Sequence, residues 1–404
     1  MKVTYVNLYK IIMYGVVFMN LGYLGFTQTN NSLIIQAYTS AIAVITFLIY
    51  LTQPKKTSIS KVMLCYIVMI IVELSFQLLR LEYLNNGISI VNGLHLIYTY
   101  SFTLFFFPIL EILKKDKKFT STLVVLAIGA LLVIYIAWYL YNYRGINIMP
   151  GLFDAMGEDW IRNGMVRVSG TFLDGLCICY LFIKLLNRDG GNETKKIYII
   201  LGILFIYAFS NFVYQSRSQI IAYTVTMVVI YLAFRKGYNI NSLLKYIIAM
   251  LLLIIIYNLP MTQNLIMSLS LKNDGGMKAR VLGLHTYMNL WKEISLINGI
   301  GISQDGNYFG FLKFYLSDLG ILSSFIRFGV LGGAIFSSIF GIALVRVFLF
   351  FNTNKVYSSF LLGLTVYLLM TSIGSQNIYD GSRILMLPIF MAYIELYKVR
   401  EYKF

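Results

Sequence analysis

The chain has 404 residues, of which 58% are hydrophobic and only 12% are charged, and its formal net charge is +16. Soluble domains carry about 25% charged residues, and one globule of this length cannot bury so much apolar surface. The composition therefore excludes an ordinary soluble protein and predicts an all-α polytopic membrane protein. The basic residues lie mainly in short linkers between apolar segments, which is typical of a membrane topology signal and not of nucleic-acid binding.

Twelve apolar segments are each close to the ~20 residues that a membrane-spanning helix needs. They run over 9–26, 33–51, 62–80, 94–113, 120–141, 170–187, 196–214, 218–234, 242–259, 322–349, 355–373 and 382–397. Lysines concentrate in alternate linkers, which the positive-inside rule assigns to the cytoplasm. Both termini are then cytoplasmic, as an even number of spans requires. No cleavable signal is expected, and residues 1–404 are interpreted as a single integral membrane domain.

The longest polar stretch, residues 260–319, separates the ninth and tenth predicted spans and is expected to be extracytoplasmic. Five apolar residues within it recur at helical spacing, which predicts an amphipathic helix on the bilayer surface or across the bundle. These residues are Leu284, Tyr287, Met288, Trp291 and Ile294. Arg280 lies at the edge of this stripe, and His285 lies about 140° away around the helix. A regular helix cannot point both side chains at one atom, unless it starts only at Gly283.

Arginine dominates the basic residues of the linkers expected outside. Its guanidinium group binds phosphate oxygens in a bidentate geometry that lysine cannot form. Four arginines lie at nearly one depth, at the outer ends of predicted spans: Arg167, Arg217, Arg327 and Arg383. Orientation sorting disfavours cations on the outer side. Either each guanidinium reaches separately toward the interface, or the set forms an anion site, which we favour.

Two short motifs place hydroxyl groups beside these arginines. Arg167 precedes Ser169 and Thr171 at the start of a predicted span, where free backbone N–H groups and the helix dipole attract anions. Ser216 and Ser218 flank the arginine of a tight hairpin, and we expect that arginine to face into the bundle. Both motifs suit a phosphate cradle. The alternative is that a serine or threonine simply caps the following helix.

Few side chains are candidates for proton transfer. His285 is a candidate base because imidazole titrates near neutral pH, and Asp305 is its main rival. Other acids that remain candidates are Glu158, Asp159 and Asp318. Glu73 and Asp174 lie inside predicted spans, where a carboxylate either marks a proton route or pairs with a cation. No spacing of histidine and cysteine resembles a zinc site, and no metal is expected.

These residues together resemble the bacterial O-antigen and capsule repeat-unit polymerase and O-antigen ligase superfamily. The resemblance rests on four motifs within residues 165–340: Arg167 to Phe172, Ser216 to Ser218, a loop with Arg280 and Trp291 before the turn Gly299 to Ser303, and Arg327 to Gly333. Two features depart from the family pattern. An Asn-rich step is replaced by Leu173-Asp174-Gly175, and the histidine that often follows the glycine turn is absent, which favours Asp305 over His285 as base.

The resemblance implies inverting glycosyl transfer at the outer face of the bacterial cytoplasmic membrane, without a metal or cofactor. The donor would be a glycan on polyprenyl pyrophosphate and the acceptor a sugar hydroxyl. Its implied partners are membrane lipid, a flippase and a chain-length regulator. The pyrophosphate would be bound by Arg167, Arg217, Arg280 and Arg327, with secondary roles for Ser169, Thr171, Ser216, Ser218, Asp174 and Arg383. A ligase that transfers glycan to lipid or protein, and a lipid-linked oligosaccharide flippase, are the alternatives.

Overall fold

The computed structural model describes residues 4–25, 30–54, 56–84, 93–94, 97–154, 160–162, 164–187, 193–235, 275–302, 308–309, 314–374, 377–379 and 381–396. In chain order its α-helices are α1 (Tyr5–Asn20), α2 (Asn30–Thr52), α3 (Lys61–Leu84), α4 (Phe106–Lys115), α5 (Phe119–Arg144), α6 (Pro150–Phe153), α7 (Asp174–Leu186), α8 (Glu193–Phe212), α9 (Arg217–Phe234), α10 (Gly275–Ile294), α11 (Ile321–Phe350), α12 (Lys355–Gly374) and α13 (Met386–Glu395).

Short elements connect these helices. Within the described ranges, 3₁₀ helices lie at Tyr98–Phe105, Leu316–Leu319 and Gly381–Leu385. Two antiparallel hairpins have two residues in each strand: β1 (Ile161–Arg162) pairs with β2 (Met165–Val166), and β3 (Tyr308–Phe309) pairs with β4 (Phe314–Tyr315). The fold is therefore helical, and its strands are confined to connections.

Seven of the described helices are long and apolar enough to cross a membrane. Their spans are Leu33–Thr52, Lys61–Leu81, Phe119–Arg144, Glu193–Phe212, Arg217–Phe234, Ile321–Phe350 and Lys355–Ile373. Each coincides with one of the twelve apolar segments predicted from the sequence. The fold is thus consistent with the predicted all-α polytopic membrane protein.

Four other predicted spans are helical but shorter than expected. α1, α4, α7 and α13 have 16, 10, 13 and 10 residues, whereas a spanning helix needs about 17–25. The predicted span 242–259, and most of the loop before α10, lie outside the described residues. Twelve spans, and the side of the membrane on which residues 260–319 lie, remain predictions.

Prolines explain why two of these segments are short. Pro108 and Pro388 are each the third residue of an α-helix that follows a 3₁₀ helix. A proline has no N–H and its ring clashes with the carbonyl four residues earlier, here that of Leu104 or Ile384, so the α-helical ladder cannot continue upstream. The two interrupted segments pack against each other, and every residue of α13 is buried.

Two buried carboxylates fix the linker before α3 to these interrupted helices. Glu111 of α4 accepts hydrogen bonds from the N–H (2.6 Å) and the hydroxyl of Thr57. Glu395 at the end of α13 accepts hydrogen bonds from the N–H (2.9 Å) and the hydroxyl of Ser60. Because buried backbone donors need a partner, these carboxylates determine where α3 starts.

Lysines lie at this same end of the bundle. Lys10 of α1 forms an ion pair with Asp116 between α4 and α5 (2.8 Å), and the Lys118 N–H also donates to that carboxylate (2.9 Å). Burial alone would raise the pKa of Asp116, but the hydrogen bonds from Lys10 and Lys118 hold that pKa below its ordinary value. The Lys114 ammonium lies near the Ser58 carbonyl (3.4 Å).

We predict that Glu395→Ala lowers the free energy of unfolding by about 1–3 kcal/mol, because the buried Ser60 N–H loses its acceptor. Thermal unfolding of the purified protein in detergent measures this change. Glu193→Ala is the matched control, since the side chain of Glu193 is 88% exposed and pairs only with Lys196 on the helix surface. Equal melting temperatures for Glu395→Ala and the unmodified protein would contradict the assigned role.

Candidate functional site

The hairpin β1–β2 is fastened to the turn between α8 and α9. Trp138, near the end of α5, donates from its indole N–H to the Val166 carbonyl (2.7 Å). Val168 then donates its N–H to the carbonyl of Val213, just after α8 (3.2 Å). The segment that leads into α7 therefore lies beside the α8–α9 turn, so that two motifs distant in sequence are neighbours.

A pocket of about 370 Å³ opens beside this turn, and two arginines, Arg162 and Arg217, line it. Its other lining residues are Trp138, Tyr143, Met165, Asn211, Phe212, Gln215, Ser216 and Ile220. Arg162 donates from Nη1 to the Gln215 carbonyl (2.9 Å). Among the described lining residues the charged ones are these two arginines, and both are cations. Arg217 is exposed here, whereas the sequence favoured an orientation into the bundle.

The serines beside Arg217 bond to each other. The hydroxyls of Ser216 and Ser218 lie 3.1 Å apart. Ser216 occupies the N-cap position of α9, but its side chain accepts no capping hydrogen bond. Ser216 therefore does not cap α9 with its side chain, which was the alternative predicted from sequence.

Arg167 lies next to the pocket but does not line it. Its guanidinium carbon is 5.2 Å from the centre of the Trp160 ring, a distance typical of a cation–π contact. Its backbone N–H donates to the Trp160 carbonyl (2.9 Å). The next residue, Val168, is bonded to Val213 at the α8–α9 turn, so Arg167 is one residue away in sequence from that contact.

The start of α7 is occupied by a carboxylate of the chain itself. Asp174 Oδ1 accepts hydrogen bonds from the N–H (3.1 Å) and hydroxyl (2.5 Å) of Thr171. Its other oxygen accepts from the Tyr223 hydroxyl (3.3 Å). The N-cap residue is Leu173, so neither Ser169 nor Thr171 caps the helix. The position that sequence suggested for a bound phosphate thus holds Asp174.

Arg383 is the cation whose charge acts on Asp174. It lies in the 3₁₀ helix before α13, and its positive charge acts on Asp174 without an ion pair within 4 Å between the two side chains. The rings of Tyr223 and Tyr367 stack with centroids 5.7 Å apart. The hydrogen-bond partners of Asp174 are Thr171 and Tyr223, and its pairing with an arginine, one of the two sequence alternatives, stays a prediction. Neither tyrosine belongs to a sequence motif, and neither was predicted to be a site residue. The signal that could have found them is a polar side chain within an apolar span.

Two further motifs meet at a break in α11. The Ile300 N–H donates to the Ile326 carbonyl (2.8 Å), and the Gly301 N–H donates to the Arg327 carbonyl (2.9 Å). The helix departs from helical geometry at Gly329, where φ is +73°. A Cβ there would collide with the carbonyl of Ile297. Because the helix is broken here, the Arg327 carbonyl can accept the hydrogen bond from Gly301 in the glycine turn.

The helix α3 also binds the glycine turn, through Arg80 and Gln77. Arg80, near the end of α3, donates from Nη1 to the Asn298 carbonyl (2.5 Å) and from Nη2 to the Gly299 carbonyl (2.8 Å). Gln77 donates to the Asn298 carbonyl (3.1 Å) and to Glu73 (2.8 Å). Glu73 therefore supports a structural network, which accounts for one of the carboxylates within the predicted spans.

α10 is docked on α11 by most of its predicted apolar stripe. Leu284, Tyr287 and Trp291 are buried with Leu316, Leu319 and Ile326, and Met288 packs against them. The prediction was wrong for Ile294, which is 47% exposed because the helix ends there and the chain turns toward Gly299. His285 is exposed on the opposite face. Arg280 belongs to α10, but its side chain, like all of Asp305, lies outside the described residues.

These groups share one end of the bundle. Tyr367 of α12 donates its hydroxyl to Gln219 (3.1 Å), two residues after Arg217 in α9. The start of α11 lies against the chain that follows α12, since Asn377 donates to the Gly320 carbonyl (3.3 Å) and Ser324 (2.8 Å). Besides Arg144, which is exposed at the end of α5, the described arginines at this end are Arg80, Arg162, Arg167, Arg217, Arg327 and Arg383. They form two groups, one around the pocket and Asp174 and one around the glycine turn.

Comparisons with known proteins identify no relative. No protein-family model matches the chain, and no curated protein matches it. Within the described part of the chain, no three histidine, cysteine, aspartate or glutamate side chains are grouped as metal ligands would be. Functional inference therefore depends on the geometry above and on the four motifs.

We predict that Gly329→Ala destabilises the protein by about 1–3 kcal/mol, because a side chain is strained at this φ and collides with the glycine turn. The change is measured by thermal unfolding. Gly341→Ala in the same helix is the matched control, since a Cβ there meets nothing within 4 Å, and alanine favours a helix over glycine. A Gly329→Ala protein as stable as Gly341→Ala would contradict the assigned break.

We also predict that Asp174 and Arg383 are energetically coupled. In a double-mutant cycle with Asp174→Asn and Arg383→Gln, the effects on unfolding should differ from additivity by about 0.5–3 kcal/mol. The surface pair Glu193 and Lys196, at 2.9 Å, serves as control and should show no measurable coupling because water screens it. Additive effects at Asp174 and Arg383 would mean that the two charges do not interact.

Proposed function

We propose that the chain is a glycosyltransferase of the bacterial cytoplasmic membrane that polymerises oligosaccharide repeat units carried on polyprenyl pyrophosphate, as in O-antigen or capsule synthesis. The observation that carries this proposal is the gathering of arginines from separate helices at one end of a membrane bundle. The motifs that resemble the polymerase and ligase superfamily lie at that same end. A diphosphate on a lipid is the ligand that this distribution of charge suits best.

The distribution of charge also supports the proposed orientation. Lys10 and Lys114 lie at the end where Glu111 and Glu395 hold the linker before α3, together with Arg346, which pairs with Glu395 (3.9 Å), whereas the arginines of the candidate site lie at the other end. Lysine-rich linkers stay in the cytoplasm. In this orientation both termini are cytoplasmic, and residues 260–319 with the arginines face outward, where lipid-linked glycans are polymerised. A flippase and a chain-length regulator are proposed partners.

The chemistry follows from the leaving group. The acceptor sugar hydroxyl attacks the anomeric carbon from the face opposite the pyrophosphate, which departs with the bonding electron pair and gains negative charge. Guanidinium groups fixed before the reaction stabilise that charge. Arg167, Arg217, Arg280 and Arg327 are proposed for this role. The proton of the acceptor hydroxyl passes to His285 or Asp305, and the reaction inverts the configuration without a metal.

α10 supports His285 as one of the two candidate bases. The helix is docked beside Arg327 by its buried stripe and by the glycine turn. His285 is exposed on the free face of α10, so an acceptor sugar can reach it. A ligase differs from a polymerase only in the acceptor, and it would use the same groups.

A lipid-linked oligosaccharide flippase is the second candidate, and one observation favours it. The interrupted helices that contain Pro108 and Pro388 pack together inside the bundle, and paired interrupted helices are typical of transporter binding sites. The polar contacts around them are satisfied within the protein: the hydroxyls of Tyr66 and Tyr379 bond to each other at 2.6 Å. Arg383 belongs to the 3₁₀ part of the segment that contains Pro388, but Arg162 and Arg217 line a pocket at the α8–α9 turn, outside this pair, which favours the polymerase.

The test uses purified protein in nanodiscs and lipid-linked oligosaccharide extracted from cells that lack this protein. We predict a ladder of extended products on a gel, and its loss in Arg217→Lys and Arg280→Lys, because lysine cannot form the bidentate contact. Arg144→Lys is the matched control: Arg144 is exposed at the end of α5 and does not line the pocket.

The competing functions give different results in the same system. A ladder of normal length from either Arg217→Lys or Arg280→Lys would reject the proposed site. Transfer of the oligosaccharide across a liposome membrane without any extension would identify a flippase. A single addition to an added lipid acceptor, without a ladder, would identify a ligase.

A further inference from the structure

The pocket that holds Arg162 and Arg217 lies where three candidate membrane spans end. α5 contributes Tyr143 near its last residue, α8 contributes its last residue, Phe212, and α9 contributes Arg217, its first. Tryptophan and tyrosine concentrate at the boundary between lipid and water, and Trp138 and Tyr143 both line this pocket. The pocket is therefore at the depth of lipid headgroups.

The walls of the pocket combine apolar and cationic surface. Phe212 is 61% exposed and Tyr143 is 55% exposed, which is costly in water but favourable against lipid. Ile221 and Ile161, beside the lining residues in sequence, are also exposed. Exposed apolar side chains therefore border the pocket. A ligand that fits must have an apolar tail and a negatively charged head.

Backbone strain orients one of the two cations. Gln215 has φ +53°, the one non-glycine residue with positive φ among the described residues. Such a conformation is energetically costly for a residue with a side chain and is concentrated at functional sites. Here it presents the Gln215 carbonyl to Arg162 Nη1 (2.9 Å). Because a guanidinium has five N–H donors, this contact fixes Arg162 and leaves donors for a ligand.

We propose that this pocket binds the phosphate-bearing headgroup of a membrane lipid. Arg162 and Arg217 bind the phosphate oxygens, and Tyr143 and Phe212 contact the first carbons of the tail. Arg162 belongs to none of the four motifs, so it is a new binding residue. The lipid is either a bilayer phospholipid or a polyprenyl diphosphate; in the second case the inference rests on the proposed function and names a further residue for its substrate.

The test is a binding measurement and does not depend on glycosyl transfer. The full-length protein is purified in detergent, and lipid binding is followed by native mass spectrometry with three probes: farnesyl diphosphate, phosphatidylglycerol and inorganic pyrophosphate. We expect Arg162→Gln and Arg217→Gln each to weaken lipid binding by about tenfold or more, because each removes a charge-assisted contact. Arg144→Gln, an exposed arginine outside the pocket, should leave binding unchanged.

Each outcome decides between the sources or against the inference. Binding of farnesyl diphosphate in preference to phosphatidylglycerol assigns the pocket to the substrate, whereas the reverse preference assigns it to a bilayer phospholipid. Equal binding of inorganic pyrophosphate would reject a lipid ligand. The inference also fails if Arg162→Gln and Arg144→Gln have the same effect. Arg162→Lys, which retains charge, should keep part of the affinity and shows that the position tolerates substitution.

Discussion

A charged group deep in a bilayer is costly, and this constraint determines where the chain places its cations. The guanidinium groups of the candidate site lie at the helix ends on one side of the bundle, and Lys10 and Arg346 lie at the other. Seven apolar helices separate the two ends. The same constraint leaves few positions where arginines from different helices can meet, and the structure uses those positions for the motifs that define the candidate site.

The arginine-bearing end is assembled from interruptions of regular structure. Arg80 holds the carbonyls of Asn298 and Gly299, and Arg162 holds the carbonyl of Gln215. In both places a guanidinium satisfies backbone oxygens that a helix would have used internally. These arginines therefore stabilise the turns at this end and at the same time contribute positive charge to it.

Sequence predicted the parts of the fold that depend on uninterrupted apolar length. The seven candidate spans and the buried face of α10 around Trp291 follow from hydropathy and helical spacing. Hydropathy does not register Pro108 and Pro388, and for this reason two segments of sufficient length are built in two pieces. α7 begins at Asp174 and not at residue 170, because that carboxylate takes the donors of Thr171. A hydropathy value averaged over a window of residues does not register which side chain accepts these hydrogen bonds.

The candidate site was predicted in its residue types but not in its arrangement. The glycine turn and Arg327 were recognised as separate motifs, yet their pairing depends on backbone hydrogen bonds that follow no sequence period. Arg162 was missed because it lies in a linker without a motif, and its position depends on the strained Gln215. For Asp174 both alternatives, a proton route and pairing with an arginine, stay predictions, and its hydrogen bonds to Thr171 and Tyr223 followed from neither.

The most direct test of the account is photocrosslinking with a polyprenyl diphosphate that carries a photoreactive group in its first isoprene unit, followed by mapping of the adducts. If arginines at the helix ends hold a lipid-borne diphosphate, adducts should concentrate on Tyr143, Phe212 and Ile220 and should decrease in Arg162→Gln. Adducts concentrated on the interrupted helices around Pro108 and Pro388, unchanged by Arg162→Gln, would contradict it.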